Sequence, residues 1–437
     1  SVRALAKLRD QGIVGAIGVS NVNRAQLDAA LAITELDAIE IELGMHRFDA
    51  LDLADLCERR NMKLLAYRPF GGAKGIAKLE ADPLLRELVH LGSPCEVALA
   101  FLRALSPTII PLPGPTRVET ALSCARPIEL PPEAVTALRA HFLDGPAAAP
   151  RAGEVVLIMG MPGAGKSSLA DQFPEHVRMN RDERGGTLAQ LATELERTLA
   201  AGHTRVVLDN TYPSRSSRAE VVRIARRHGL PVRGIVLDTP LHEAQRNAVA
   251  RMLARHGRLL EPAEMIAERE VPPGAQFRYQ RLLEPPTLDE GFASLEHVAF
   301  ERLPEPAGTP VAIVELDNLI WRGRPRTRVE LLPGARDRLA ALRDRGFELA
   351  GTAWQPEPFH PAVDAELAEL LGMSIAVARC THPGGPPVCW CRKPLPGLAL
   401  LLAHQYGFSL AGSIHVGHTP ADRGFAIRAG LAFEDAS

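Results

Sequence analysis

Short apolar blocks alternate along the chain with stretches in which apolar residues return every third or fourth position, a strand-then-helix rhythm. In the first third the alternation runs Val2–Asp10, Val14–Val19, Gln26–Ile33, Ala38–Leu43, Leu51–Arg60 and Lys63–Tyr67, with Thr108–Leu112 after another helix-like stretch. Further on, Val155–Met159, Arg205–Leu208, Val232–Leu237 and Val311–Val314 read as strands of parallel sheets. Two stretches break the rhythm. Asp144–Gly153 and Leu303–Thr309 are rich in proline, glycine and alanine without apolar periodicity, so both read as linkers. They divide the 437 residues into segments 1–143, 154–302 and 310–437, an α/β protein in which repeated β-then-α units imply barrel or doubly wound sheets.

An apolar content of 46%, a charged content of 23% and a net charge of -2 describe a soluble globular chain with no global electrostatic claim on nucleic acid. No run of 18 apolar residues occurs, so no membrane partner is expected, and Ser1–Ala6 lacks a signal-peptide layout. A cytoplasmic location is expected. Cys57, Cys95 and Cys124 are scattered, whereas Cys380, Cys389 and Cys391 gather around His382, which fits reduced thiols better than disulfides. The hooks Cys380-Thr381-His382 and Cys389-Trp390-Cys391 have the spacing to close tetrahedrally on Zn²⁺; reduced surface thiols are the alternative.

After Lys78, lysine occurs only at Lys166 and Lys393, although arginine is abundant. Arginine replaces lysine well on a solvated surface, but its flat fork does not substitute for one mobile point charge among backbone amides. Lys166 closes Gly160-Met161-Pro162-Gly163-Ala164-Gly165-Lys166-Ser167 directly after an apolar strand. That is the Walker A pattern, in which glycines turn N–H groups around phosphate, lysine bridges β- and γ-oxygens and the Ser167 hydroxyl ligates Mg²⁺.

Carboxylates and small polar residues fall at later strand ends, in Met179-Asn180-Arg181-Asp182, Leu208-Asp209-Asn210-Thr211-Tyr212-Pro213 and Asp238-Thr239-Pro240. That rim is where open α/β sheets bind ligands. With Glu243-Ala244-Gln245-Arg246-Asn247 and Glu284-Pro285-Pro286-Thr287-Leu288-Asp289-Glu290, these blocks make Val155–Phe300 resemble the kinase domain of polynucleotide kinase-phosphatases. The resemblance implies ATP- and Mg²⁺-dependent phosphorylation of a nucleic-acid 5'-hydroxyl. Gly160, Gly163, Gly165, Lys166, Ser167 and Ser168 would surround the phosphates, Asp182 would accept the hydroxyl proton, Asp209 would hold the acceptor and Arg246 would lie on a lid. By residue type alone, Asp182 also suits a helix N-cap, Asp209 an Asx turn and Arg246 a solvated helix face. The basic stretch Arg215, Arg218, Arg223, Arg226 and Arg227 suits either a nucleic-acid backbone or a solvated face.

In the first segment, Ile17-Gly18-Val19-Ser20-Asn21, Leu65-Ala66-Tyr67-Arg68-Pro69-Phe70-Gly71 and Ile110-Pro111-Leu112-Pro113-Gly114 resemble the later strands of the aldo-keto reductase barrel. Ser20, Asn21 and the stretch from Pro113 to Arg117 match cofactor-contacting positions, with Glu40 where the family usually has glutamine. The family's hydride-transfer residues come from the first four strands, so neither NADP use nor reductase activity is expected of this half of a (β/α)8 barrel. Its open sheet edge calls for a partner or for a preceding segment of a longer gene.

In the third segment, Val311-Ala312-Ile313-Val314-Glu315-Leu316-Asp317-Asn318 resembles the opening strand of haloacid-dehalogenase-type phosphatases, with a Rossmannoid sheet implied. Glu315 stands at the nucleophilic Asp position, Asp317 at the acid/base position and Lys393 at the phosphate-neutralising lysine. Gly417-His418-Thr419-Pro420-Ala421-Asp422 matches the metal loop, with His418 replacing its first Asp. Thr352 lies one place from the expected hydroxyl. Glutamate reaches one methylene further, and a misplacement of about 1 Å costs on the order of a hundredfold in rate. His418 offers nitrogen where Mg²⁺ prefers oxygen. A degenerate phosphatase is therefore expected. Its Cys380, His382, Cys389 and Cys391 resemble the structural zinc loop of heptose-bisphosphate and histidinol phosphatases, here presenting Lys393. A small-molecule kinase and an ATP-binding scaffold remain the alternatives to the nucleic-acid kinase.

Overall fold

The computed structural model describes residues 2–22, 24–144, 149–181, 185–303, 308–325, 327–356, 358, 360, 362–385 and 388–436. Three parallel sheets follow one another along the chain. The first is built from β1 (Gly18–Ser20), β2 (Ala38–Glu42), β3 (Lys63–Tyr67) and β4 (Ile109–Leu112), paired in sequence order. β1 is shorter than the pattern Val14–Val19 predicts, because the Ile17 amide is taken by the Asp37 carboxylate at 2.7 Å instead of by a neighbouring strand.

The second sheet holds β5 (Glu154–Met159), β6 (Val177–Met179), β7 (Arg205–Asp209), β8 (Val232–Asp238) and β9 (Ser294–Ala299) in the order β6-β7-β5-β8-β9. Val155 to Ile158 are wholly buried, as a central parallel strand covered on both faces requires. The third sheet, β10 (Pro310–Glu315), β11 (Glu348–Trp354), β12 (Ala376–Cys380), β13 (Ser409–Gly417) and β14 (Ala432–Asp435), runs β12-β11-β10-β13-β14. In both five-stranded sheets the chain winds away from the central strand in opposite directions, which opens a crevice at the strand C-termini.

The second and third segments share a core. Val249, Met252 and Leu253 of the helix Leu241–His256, with Leu260 and Met265 beyond it, are buried in one cluster with Val311, Leu398, Leu402, Phe425 and Ala429. Each such side chain contributes about 1.5–3 kcal/mol when buried, so these five anchors together supply roughly 10 kcal/mol before ordering costs. That is enough to hold the helix against the third segment rather than leave it hinged. No helix among the described residues is by itself long and apolar enough to cross a membrane.

Candidate functional site

The loop after β5 is pinned from outside by its carbonyls. Gln276 Nε2 donates to Pro162 O at 2.8 Å, Asn247 Nδ2 to Gly163 O at 3.0 Å and Thr239 Oγ1 to Ala164 O at 3.0 Å. A trans peptide directs its N–H opposite its C=O, so a loop held by its carbonyls presents its amide edge to the other side. Gly163 (φ 88°) and Gly165 (φ 96°) lie in the left-handed region, and a Cβ on Gly163 would stand 2.3 Å from Ala244 O. Gly165 leads into the helix Lys166–Ala170, which opens with Lys166, Ser167 and Ser168. Lys166 folds back to donate to Gly160 O and Met161 O, both at 2.9 Å.

Ile158 pairs in register with Asp209, which places that carboxylate at the rim beside the strand that leads into the loop. Asp209 is 2% exposed; its Oδ2 accepts from Arg178 Nη2 and Asn180 Nδ2, both at 2.8 Å. Its Oδ1 is buried without a hydrogen-bond partner among the described residues. A buried carboxylate oxygen without a donor is costly unless a ligand, water or ion completes it. Asn180 belongs to the Met179-Asn180-Arg181-Asp182 block, whereas Arg178, just ahead of that block at the strand end, was not anticipated. Asp182 itself lies outside the described residues.

Arg246, expected on a lid over phosphate, lies on the helix Leu241–His256. It is 8% exposed, and its guanidinium packs against Gly430 of the third segment, where an added Cβ would meet Nη1 at 2.3 Å. The same helix reaches the loop through Ala244 and Asn247. The arginine stretch is likewise committed internally. Arg218 forms a buried two-point ion pair with Glu290 (2.6 and 2.7 Å), Arg215 meets Asp289 at 3.0 Å, and Arg223 and Arg227 pair with Glu220 and Glu196. Four of the five arginines thus face carboxylates rather than offering a free basic stripe.

In the third segment, a cavity of about 310 Å³ brings Glu315, Asp317, Lys393, His418 and Asp422 together at the rim. Lys393 Nζ is salt-bridged to Glu315, lies 2.9 Å from Asp422 Oδ1 and 3.4 Å from His415 Nε2. Thr419 caps the helix Pro420–Ala429, and Asp422, three residues on, accepts from the Thr419 amide at 3.0 Å, so the capping box also aims Asp422. Thr352, offset in the sequence, pairs in register with Glu315 and places Oγ1 3.5 Å from its Oε2. His415 was not anticipated; strand alternation puts it on the Asp422 side, and its Nδ1 meets Ile313 O at 2.7 Å.

Burial pushes Glu315 up to about 7 against the pull of Lys393, and burial also raises Asp317. For Asp422, burial is outweighed by His415 and Lys393, which hold the carboxylate well below its ordinary range. Burial and Lys393 push His415 down to about 4. Trp354 stands between two guanidinium groups, Arg324 at 3.8 Å and Arg392 at 4.2 Å from its ring centre, both lining the cavity.

Cys380, His382, Cys389 and Cys391 converge with all four ligand atoms within 4.8 Å of one another. Cys380 and Cys389 sulfurs are 3.9 Å apart, close to the edge of about 3.8 Å that tetrahedral bonds of ~2.3 Å produce. Hydrogen bonds from Cys389 and Cys391 hold the Cys380 thiol well below its ordinary value, while Cys380 pushes Cys389 up to about 11 and Cys391 further. Three sulfurs and an imidazole nitrogen at this spacing suit a divalent cation, which binds cysteine as thiolate.

In the first segment, Asn21 accepts from the Tyr67 hydroxyl at 2.6 Å and sits beside Ser20 at the strand C-termini, while Glu40 pairs in register with Ser20. Arg117 precedes the helix Val118–Ala125.

Residues 1–142 match the model of the aldo/keto reductase family, and residues 155–269 match a model described as an AAA domain. Pyridoxine 4-dehydrogenase of Escherichia coli (strain K12) is 34% identical over 120 residues, 27% of this chain and 41% of that protein. A bifunctional polynucleotide phosphatase/kinase of Schizosaccharomyces pombe is 28% identical over 153 residues, 34% of each chain. A D-glycero-beta-D-manno-heptose-1,7-bisphosphate 7-phosphatase of Bordetella bronchiseptica is 38% identical over 73 residues, 17% of this chain and 40% of that protein. The chain spans less than half the length of each of these relatives. Fold and comparisons define a three-part α/β fusion. It joins an aldo-keto-reductase-type segment to a P-loop kinase-type segment and a haloacid-dehalogenase-like segment.

Proposed function

We propose that the middle segment transfers the γ-phosphoryl group of ATP, with Mg²⁺, to the 5'-hydroxyl of a nucleic-acid end. One observation carries this reading: a lysine resting on carbonyls of its own pinned loop, at the sheet rim that also holds Asp209, whose buried Oδ1 has no partner among the described residues. In this reading Lys166 trades carbonyl contacts for phosphate oxygens, which hold an ammonium more strongly than neutral carbonyls do. Ser167 offers the hydroxyl for Mg²⁺, which when bound neutralises charge on the phosphates. Asp209 uses Oδ1 for the acceptor hydroxyl while Arg178 and Asn180 keep Oδ2 fixed. Asp182 retains the role of proton acceptor. The acceptor class is drawn from the polynucleotide phosphatase/kinase relatives.

Within this proposal, 1–143, 154–302 and 310–437 are three domains, the second and third docked through their common core and the first without oxidoreductase activity of its own. The third is a degenerate phosphatase, and its four-ligand cluster binds structural zinc. The test is incubation with γ-labelled ATP and 5'-hydroxyl RNA and DNA oligonucleotides beside nucleosides and sugars. Label is expected on oligonucleotides. Label on small hydroxyl compounds alone would reassign the acceptor, and nucleotide binding without transfer to any acceptor would leave a scaffold.

A further inference from the structure

The four-ligand cluster is not confined to the third segment. His382 turns Nδ1 toward Cys391 and Cys380, at 3.2 and 3.9 Å, and presents Nε2 to Glu261 Oε2 at 2.7 Å. Glu261 belongs to the kinase-type segment, immediately ahead of the helix Pro262–Ala267. Trp390, between two of the cysteines, is 1% exposed and donates Nε1 to Val271 O at 2.9 Å. A histidine that binds metal through one nitrogen usually has the other held by a carboxylate, which fixes the ring and strengthens its donor atom. Here that carboxylate comes from the segment carrying the phosphate loop.

The connection it grips is short and joined to the loop at both ends. The helix Leu241–His256 touches the loop through Asn247, and the helix Pro273–Leu282 touches it through Gln276. Between them, residues 257–272 carry Leu260 and Met265 into the shared core, Glu261 to His382 and Val271 to Trp390.

We propose that the Cys380, His382, Cys389 and Cys391 centre is a clasp between segments: a metal ion bound there is held in part through Glu261, and its occupancy orders residues 257–272. The effect on phosphoryl transfer rests on the function proposed above; the clasp itself does not. Whatever affinity Glu261 adds to the metal, the metal returns as stabilisation of the docked connection, because binding linkage is reciprocal.

The probes are zinc and cobalt(II), titrated into the full chain against a competing chelator. Glu261→Ala is expected to weaken zinc binding by about 10- to 100-fold, and Glu261→Gln, which keeps an acceptor, by less. The Glu261 side chain is 60% exposed, so the folded chain tolerates its loss. Stripping zinc from the wild-type protein should speed amide hydrogen exchange across 257–272 as well as around the ligands. Zinc affinity within twofold of wild type in Glu261→Ala, or faster exchange limited to residues 376–395, would overturn the clasp in favour of a purely local metal site. Trp390→Phe provides a second variant, expected to loosen 257–272 with cobalt still bound. None of these readouts depends on catalysis. A weakened Glu261→Ala site alongside a failed kinase assay would sink the proposed function and leave the clasp intact.

Discussion

Two lysines at the rims of two similar parallel sheets are held in opposite ways. Lys166 leans on neutral carbonyls of its own loop, whereas Lys393 lies between Glu315 and Asp422 with His415 beside it. A carbonyl dipole gives way to an arriving phosphate, but an ammonium flanked by two carboxylates offers an anion little net attraction. A lysine at a strand end therefore says less than the partners it keeps. The carbonyl contacts of Lys166 can be exchanged for phosphate, whereas those of Lys393 tie it to two acidic side chains.

The largest expected effect tests the Lys166 side. Lys166→Ala should lower phosphoryl transfer to oligonucleotides about 10³-fold, as loss of one charge-stabilising donor does, and Lys166→Arg should not restore it. Near-normal rates with arginine would show that a mobile point charge is not what the loop requires. A smaller effect tests the Lys393 side. Glu315→Asp combined with His418→Asp shortens one carboxylate and restores an oxygen ligand, and should raise Mg²⁺-dependent hydrolysis of a chromogenic phosphate ester about a hundredfold over wild type. No gain would count against the extra methylene as what limits hydrolysis in the pocket.

The smallest effect lies in stability. Burial raises Glu315 from 4.5 to about 7, so between those pH values the folded protein keeps a proton that the unfolded chain has released. That contribution is fully present below about 4.5 and is lost as pH rises through 7. His415, pushed down from 6.5 to about 4, contributes the opposite slope, lost as pH falls. Denaturant unfolding at stepped pH should therefore show Glu315→Gln gaining on wild type as pH rises from 4.5 to 7. Parallel pH profiles would indicate that Lys393 compensates the buried carboxyl in full.

What the sequence could show of this contrast was local. The apolar runs of β5 and β10, the glycines at 163 and 165 and the paired cysteine hooks are short-range patterns, legible because backbone sterics and ligand spacing act within a few residues. Lys166 finds its carbonyls five and six residues away, but the partners of Lys393 and the contacts between segments are long-range. Arg218 and Glu290 are 72 residues apart, Trp390 and Val271 are 119 apart, and nothing in either neighbourhood announces the other. Arg246 shows the same limit, since its helix is legible in the sequence and the glycine of another segment beside its guanidinium is not. His415 was hidden for a different reason: in a buried strand a histidine reads as one more core position until a loop brings Lys393 and a helix brings Asp422 against it.

The common core beneath the helix Leu241–His256 also bears on how such a gene can be cut and rearranged. Expressed without the third segment, the kinase-type piece would leave Val249, Met252, Leu253, Leu260 and Met265 without their covering side chains, a greasy scar that favours precipitation. The two halves are therefore expected to travel through recombination as one cassette, with productive breakpoints ahead of β5 rather than between β9 and β10.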